Sequence, residues 1–263
     1  DFNIVLEEIR KVVENGFKEV VLTGIHTGNY GVDINTNFAS LLREIVKIDG
    51  LQRLRISSIE INELTDEVLD IIKNSPVVVN HLHIPIQAAS DNVLKAMNRK
   101  YDLKTYMSRI KTIKTIKEDM SISTDIIVGH PYETDEDFKT SLDAIREIGF
   151  SKLHVFPYSK REGTPAAIMK NQIDGNVKKQ RVKELIEVSE ELKNEYYKKF
   201  IGKSLEVLVE TYSDGYLIGH LSNYGKVKFK GDESLLHNLV MVKLNDYIND
   251  EFMGELIKEE VQV

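Results

Sequence analysis

Five short apolar runs rich in β-branched residues, at 19–23, 54–58, 82–86, 122–128 and 153–156, alternate with segments whose apolar residues recur at helical spacing. This alternation constrains the chain most, because strands separated by helix-length crossovers pair in parallel and are covered by their helices. Phe38, Leu41, Leu42, Ile45 and Val46 show the helical spacing. Thr65, Ser90 and Thr134 stand as N-caps with acidic residues in the following turn. A first periodic segment, Ile4, Leu6, Ile9, Val12 and Val13, begins almost at Asp1, so a strand is expected ahead of it and the chain reads as opening inside a domain. The expected fold class is α/β: a six-stranded incomplete β/α barrel lacking its first strand, with an ordinary open sheet as the alternative.

After Pro165 the pattern changes. A charged helix is expected over 177–200, with Val182, Leu185, Ile186, Leu192 and Tyr196 on one side and Gly202 ending it. Beyond it, Leu205, Val207, Val209, Val227 and Phe229 alternate as strands do, and Asp214-Gly215 signals a hairpin. The chain therefore divides into 1–200, barrel and connecting helix, and 201–263, a small all-β barrel.

Composition excludes several classes of function. None of the 263 residues is cysteine, so these residues form no disulfide, thiolate zinc site or cysteine-held iron–sulfur cluster. Neither an apolar run of about 18 residues nor a basic, apolar, small-residue leader is present, and a cytoplasmic chain is expected. A net charge of −7 argues against binding nucleic acid through overall charge, but the distribution is uneven. Between 95 and 117, Lys95, Arg99, Lys100, Lys104, Arg109, Lys111, Lys114 and Lys117 face Asp102 as the single acid, whereas the residues after Ile201 are acid-rich. Ile110, Ile113 and Ile116 are expected to face the core, leaving the lysines outside.

Ligands of parallel β/α folds meet the loops after the strands. The first such loop is Leu22-Thr23-Gly24-Ile25-His26, where glycine permits either a plain turn or a ligand's close approach. The second, Arg55-Ile56-Ser57-Ser58-Ile59-Glu60, offers hydroxyls and a carboxylate for a ribose or amino group, or simple helix capping. At the third, His81-Leu82-His83-Ile84-Pro85-Ile86-Gln87 sets two histidines on one strand face. No third ligand accompanies them in the sequence, so an interior hydrogen-bonded pair is expected and no metal site. Ile127-Val128-Gly129 ends the fourth strand as either an adenine-contacting edge or a buried turn. The fifth end, His154-Val155-Phe156-Pro157-Tyr158-Ser159-Lys160-Arg161, mixes aromatic and basic residues densely.

Together with Met97-Asn98-Arg99-Lys100-Tyr101, these motifs, in this order, resemble the radical S-adenosylmethionine methylthiotransferases, above all the branch that modifies threonylcarbamoyladenosine in tRNA. The resemblance spans nearly the whole chain. It extends to the tail, which is similar to the tRNA-binding TRAM module at Gly219, Asn223 and Tyr224, although the acid excess departs from a phosphate-binding surface. The resemblance implies a radical SAM barrel followed by a TRAM-like barrel, and a transferase that places a methylthio group on C2 of the adenine. Its cofactors would be S-adenosylmethionine and two 4Fe-4S clusters, one on a Cys-x-x-x-Cys-x-x-Cys loop and one on an amino-terminal domain, with both cysteine sets expected ahead of Asp1.

Residue by residue, Gly24 matches the glycine segment near the methionine amino group, and Ser57, Ser58 and Glu60 the polar strand end. Gln87 and Arg99 match a region near the ribose and carboxylate, and Val128 with Gly129 the adenine-contacting edge. Thr23, Phe156 and Tyr158 join this cofactor-binding set through their motifs. His130 and Tyr132 depart from the family's Phe and Gly, and Ala88-Ala89 from a Ser-Gly pair. Lys104, Lys111, Lys114 and Arg161 are the expected tRNA contacts, the protein is expected to be a monomer, and the sulfur and electron donors and the catalytic side chains stay open. Alternatives are a cluster-free tRNA-binding protein, a methylthiotransferase for another adenosine or a ribosomal protein, and an acid–base enzyme using His81, His83 and Glu60.

Overall fold

A computed structural model describes residues 1–257. Five parallel strands, β1 (Glu19–Leu22), β2 (Arg53–Ile56), β3 (His81–His83), β4 (Ser121–Val128) and β5 (Lys152–Pro157), lie side by side in chain order. The arc is continuous between β2 and β3, since Leu54 bridges Val78 and Ile59 N–H donates to His83 O at 3.1 Å. Its helices are α1 (Phe2–Glu14), α2 (Phe38–Ile45), α3 (Asp66–Asn74), α4 (Asp91–Ala96), α5 (Leu103–Ile113) and α6 (Asp135–Ile148). Thr65, Ser90 and Thr134 do cap α3, α4 and α6, each hydroxyl accepting a backbone N–H three residues on.

One side of each strand packs on these helices. Leu54, Ile56, Leu82, Ile122 and Ile126 meet a helix layer containing Leu42, Ile45, Ile72, Ile110, Ile113 and Ile145, all buried. Burial of such side chains contributes about 1.5–3 kcal/mol each, so this outer layer is what holds the arc.

A short helix, α7 (Pro165–Ile168), precedes α8 (Gly175–Lys198). The buried face of α8 carries Arg181, Leu185, Val188, Ser189, Lys193 and Tyr197, so the apolar stripe expected from sequence is rotated: Ile186 is exposed. Arg181 takes its place near the helix start by pairing with Glu133 and Asp135, both at 2.6 Å. Gly202 does not end the helix either. Lys199 caps it, and Gly202, at φ +86°, turns the chain into the next strand with its N–H on Leu244 O.

That strand opens a closed five-stranded barrel of β6 (Ser204–Ser213), β7 (Tyr216–Leu221), β8 (Lys226–Lys230), β9 (Leu239–Ile248) and β10 (Glu251–Leu256), ordered β10-β8-β7-β6-β9. Asp214 and Gly215 both take positive φ between β6 and β7, the geometry of a primed hairpin turn. Val207, Val209, Leu217, Val227, Phe229, Leu244 and Phe252 fill the interior.

Candidate active site

Strand alternation sends the other set of side chains inward: Arg53 and Arg55 from β2, His81 and His83 from β3, Ser121, Ser123 and Asp125 from β4, Lys152 and His154 from β5. A β/α barrel usually fills its inside with branched apolar residues. Here the lining is polar, and a chamber of about 690 Å³ remains, running from Ser57 and Phe156 near the strand ends to a floor of Tyr197, His220, Tyr224 and Lys226.

The two arginines fasten that floor. Arg53 donates to His220 O at 2.9 Å and Glu206 O at 2.8 Å; Arg55 grips Glu19 at 2.9 and 3.0 Å, donates to Ser222 O, and lies 3.8 Å over the Tyr224 ring. An Arg-x-Arg pair on a strand whose inner face is polar was the sequence signal for this joint. Gly219, Asn223 and Tyr224 also serve it or its barrel. A Cβ on Gly219 would sit 2.0 Å from Leu208 O, Asn223 Oδ1 accepts from Gly225 N–H, and Tyr224 meets His81 edge-on at 4.6 Å.

Within the chamber, Ser123 Oγ exchanges hydrogen bonds with His81 Nε2 at 3.0 Å and His83 Nδ1 at 2.9 Å, the interior pair expected from their spacing. The sequence did not reveal what the neighbouring strands add. His83 Nε2 is 3.4 Å from Asp125, and donor atoms of His83, Asp125 and His154 all lie within 4.8 Å of one another, a set able to hold one divalent cation. Burial, together with the Arg55 charge, pushes His81 down to about 3, so it is neutral; burial and then Lys152 and His83 lower His154. Glu60 has no hydrogen bond to either histidine among the described residues, and pairs instead with Arg99 at 3.2 Å, so the acid–base trio is not assembled.

The residues matched to S-adenosylmethionine spread along the strand ends. Thr23 and Gly24 line a separate cleft of about 390 Å³ with His26 and Tyr30, whereas Ser57 and Phe156 open on the large chamber. Gln87, at φ +63°, continues the sheet through Asp125 O and Ile127 N–H, and Val128 O accepts from Tyr158 N–H. Ser58 is half-buried beside Glu60. Gly129 sits at φ +75° with its N–H on Glu133 Oε1, and a Cβ there would lie 2.2 Å from Lys178 Cγ. Its glycine is thus required by backbone and neighbour alike. Tyr132 takes φ +73°, a conformation that glycine adopts freely and that strains a tyrosine by about 1 kcal/mol or more. Three buried polar atoms here have no partner among the described residues: Tyr30 OH, Arg99 Nε and Tyr158 OH.

The basic stretch divides in two. Ile110 and Ile113 are buried and Ile116 packs against the core, leaving Lys104 and Lys111 exposed on α5. Lys114 is a correction to the expected tRNA contacts: its ammonium donates to the carbonyls of Ile148 and Gly149 at the end of α6, and burial lowers its pKa. Lys117 is likewise committed to Ser75 O and Val78 O, and Arg109 to Asp66 and Leu64 O. Arg161 is exposed in the loop after β5. On the small barrel, Lys228 and Lys230 flank the Tyr216 ring at 4.8 and 5.9 Å, a basic–aromatic strip hidden by the tail's acid excess.

No helix of the described residues is long and apolar enough to cross a membrane. Residues 2–145 match the model of the radical SAM superfamily. The chain is 45% identical over 247 residues, 91% of its length, to the threonylcarbamoyladenosine tRNA methylthiotransferase MtaB of Bacillus subtilis, covering 55% of that protein. It is 38% identical over 260 residues, 97% of its length, to the tRNA-2-methylthio-N(6)-dimethylallyladenosine synthase of Lachnoclostridium phytofermentans, covering 57% of it. The chain thus spans about half the length of the curated relatives it matches. Among solved structures, the radical SAM enzyme coproporphyrinogen III oxidase of Escherichia coli superposes with a TM-score of 0.53 at 18% identity, over 73% of this chain and 46% of that one, and so shares the fold. A barrel of parallel strands in chain order, with polar loops gathered at the strand ends and a matching family model over more than half the residues, makes this chain a member of the radical SAM superfamily.

Proposed function

We propose that this chain is the barrel and RNA-binding part of a tRNA methylthiotransferase that acts on C2 of N6-threonylcarbamoyladenosine by radical S-adenosylmethionine chemistry. The observation that carries the reading is the polar chamber, large enough for a modified nucleobase and floored by a barrel that bears a basic–aromatic strip. S-adenosylmethionine fits the strand ends, where Arg99 Nε and Tyr158 OH are buried polar atoms lacking a partner among the described residues. Arg99 and Glu60, Thr23-Gly24, Ser57-Ser58, Gln87, Val128-Gly129 and Tyr158 would hold it. When bound, it supplies the methyl group and the hydrogen-abstracting equivalent. Iron–sulfur clusters are a different matter: this chain has no cysteine, its residues do not fit a thiolate-held cluster, and any ligands belong to sequence it does not contain.

This chain's own residues bind and orient. The five-stranded barrel, TRAM-like in this reading, and α5 hold the tRNA, while the inner strand faces receive the base and exclude water. A cytoplasmic monomer is part of the same proposal. The test is mass spectrometry of tRNA after incubation with the complete, cluster-reconstituted protein. A methylthio group on threonylcarbamoyladenosine is the expected product. Modification of dimethylallyladenosine alone would point to the other adenosine, and tight tRNA binding without turnover to a cluster-free binding protein.

A further inference from the structure

Relatives at 45% and 38% identity carry names with different N6 substituents, one bearing a threonine carboxylate and the other a bare hydrocarbon. Overall similarity does not separate these chemistries, so side chains that meet the N6 substituent must. Resting on the reading above, we propose that Lys152 and His154, neighbours on the inner face of β5, form the subsite for the carboxylate of the threonylcarbamoyl group and exclude the hydrocarbon substituent.

Charge pairing singles out these two. The other cations of the chamber already have anions: Lys193 holds Glu190 at 2.6 Å and Asp250 at 2.7 Å, and Lys226 holds Glu251 at 3.1 Å. Among the described residues, Lys152 has no salt-bridge partner and the His154 ring nitrogens make no hydrogen bond. His83, by contrast, is engaged on both sides, by Ser123 and Asp125. Two residues apart on one strand, Lys152 and His154 stand about 7 Å from each other, so one carboxylate between them can accept from both.

A second observation points the same way. His81 lines the same chamber, is 6% exposed, and keeps Nδ1 without a partner among the described residues. Its Nε2 meets Ser123 and its ring packs on Tyr224, so Nδ1 is the buried polar atom that it leaves open to a ligand. Asp125, opposite His154 in the β4–β5 register and within 4.8 Å of its ring nitrogen, repels a carboxylate from that side of the ring, so the anion sits on the side toward Lys152. A hydrocarbon substituent would desolvate Lys152 and His154 and pair neither, and sites built for hydrogen bonding reject analogues that lack the group by large factors, up to about 10⁴–10⁵.

The experiment uses the complete protein and three anticodon stem-loop RNAs, carrying threonylcarbamoyladenosine, its carboxylate methyl ester, or dimethylallyladenosine. Binding and turnover are measured for the native protein and for Lys152→Met, Lys152→Arg, His154→Phe and His154→Gln. The native protein should prefer the acid over the ester. Lys152→Met and His154→Phe should lose about ten- to a hundredfold in affinity for the acid RNA, mainly in KM, and should bind acid and ester alike. Lys152→Arg should restore most of the preference, and His154→Phe should gain on the dimethylallyl RNA. Retained binding of the ester RNA shows that a variant is folded. If the native acid-to-ester ratio survives in Lys152→Met, His154→Phe and His154→Gln, the carboxylate is read elsewhere and the subsite is wrong. If the native protein modifies neither adenosine, or only the dimethylallyl one, the function proposed above fails, a result visible before any variant is made.

Discussion

The two barrels of this chain solve the inside of a sheet in opposite ways. The closed one packs Val207, Val209, Leu217, Val227, Phe229, Leu244 and Phe252 into its centre, each at most 1% exposed. The open one turns its apolar residues outward onto helices and lines its inside with histidine, serine, aspartate and lysine. A small closed barrel has no other place to bury apolar surface, so its interior is its stability. The arc has a helix layer for that purpose, and its inner face is free to be a chamber. The comparison teaches that burial means different things: Phe252 fills an apolar interior, whereas His81, nearly as dry, keeps Nδ1 without a partner among the described residues.

The largest expected effect tests the closed barrel. Phe252→Ala should cost about 3–5 kcal/mol of stability, read as a lowered urea midpoint for the small barrel, while Ser123→Ala on the chamber wall should cost about 1 kcal/mol. Equal costs would break the contrast. Next comes the joint. Arg55→Met removes the Glu19 pair, the bond to Ser222 O and the guanidinium over Tyr224, and leaves a mostly buried carboxylate at Glu19. A loss of about 3 kcal/mol, with faster proteolysis after α8, is expected; unchanged proteolysis would mean that Arg53 alone fastens the floor.

A smaller effect follows from pH. Burial holds His81 down to about 3 and lowers His130 and His154, against an ordinary value near 6.5. The unfolded chain therefore binds protons that the folded chain refuses. Stability is full above pH 6.5 and falls as pH drops toward 3, by about 1.4 kcal/mol per pH unit for His81 once well inside that window. Urea midpoints at pH 7 and pH 5 check this. His81→Gln should flatten the dependence; if it does not, the chamber histidines are wetter than their burial implies.

Smallest in stability, though not in binding, is the division of phosphate contacts between the two barrels. Neutralising Lys104 and Lys111 with glutamine should leave folding unchanged and lower the slope of log affinity for tRNA against log salt by roughly 0.7–0.9 per lost contact. The same change at Lys228 and Lys230 is the comparison. If only the second pair flattens the slope, the small barrel carries the contact despite its acid excess. Lys114→Gln should instead lower stability, because its ammonium satisfies the last carbonyls of α6.

Strands, helices and caps were legible in the sequence because they depend on residues a few positions apart. The five apolar runs, the hydroxyls of Thr65, Ser90 and Thr134, the turn at Asp214-Gly215 and the Ser123-bridged histidine pair each follow from local spacing or from a two-residue period. The family was legible too, in ordered motifs at strand ends. Only the tertiary structure decided the rest. It put His83, Asp125 and His154 together across three strands and kept Lys152 without an anion among the described residues. It also buried Arg181 where Ile186 was expected, and drew Lys114 from the surface onto α6. These outcomes depend on strand register and helix rotation between segments tens of residues apart. A sequence pattern names which face a residue shares, but only packing fixes what lies opposite it.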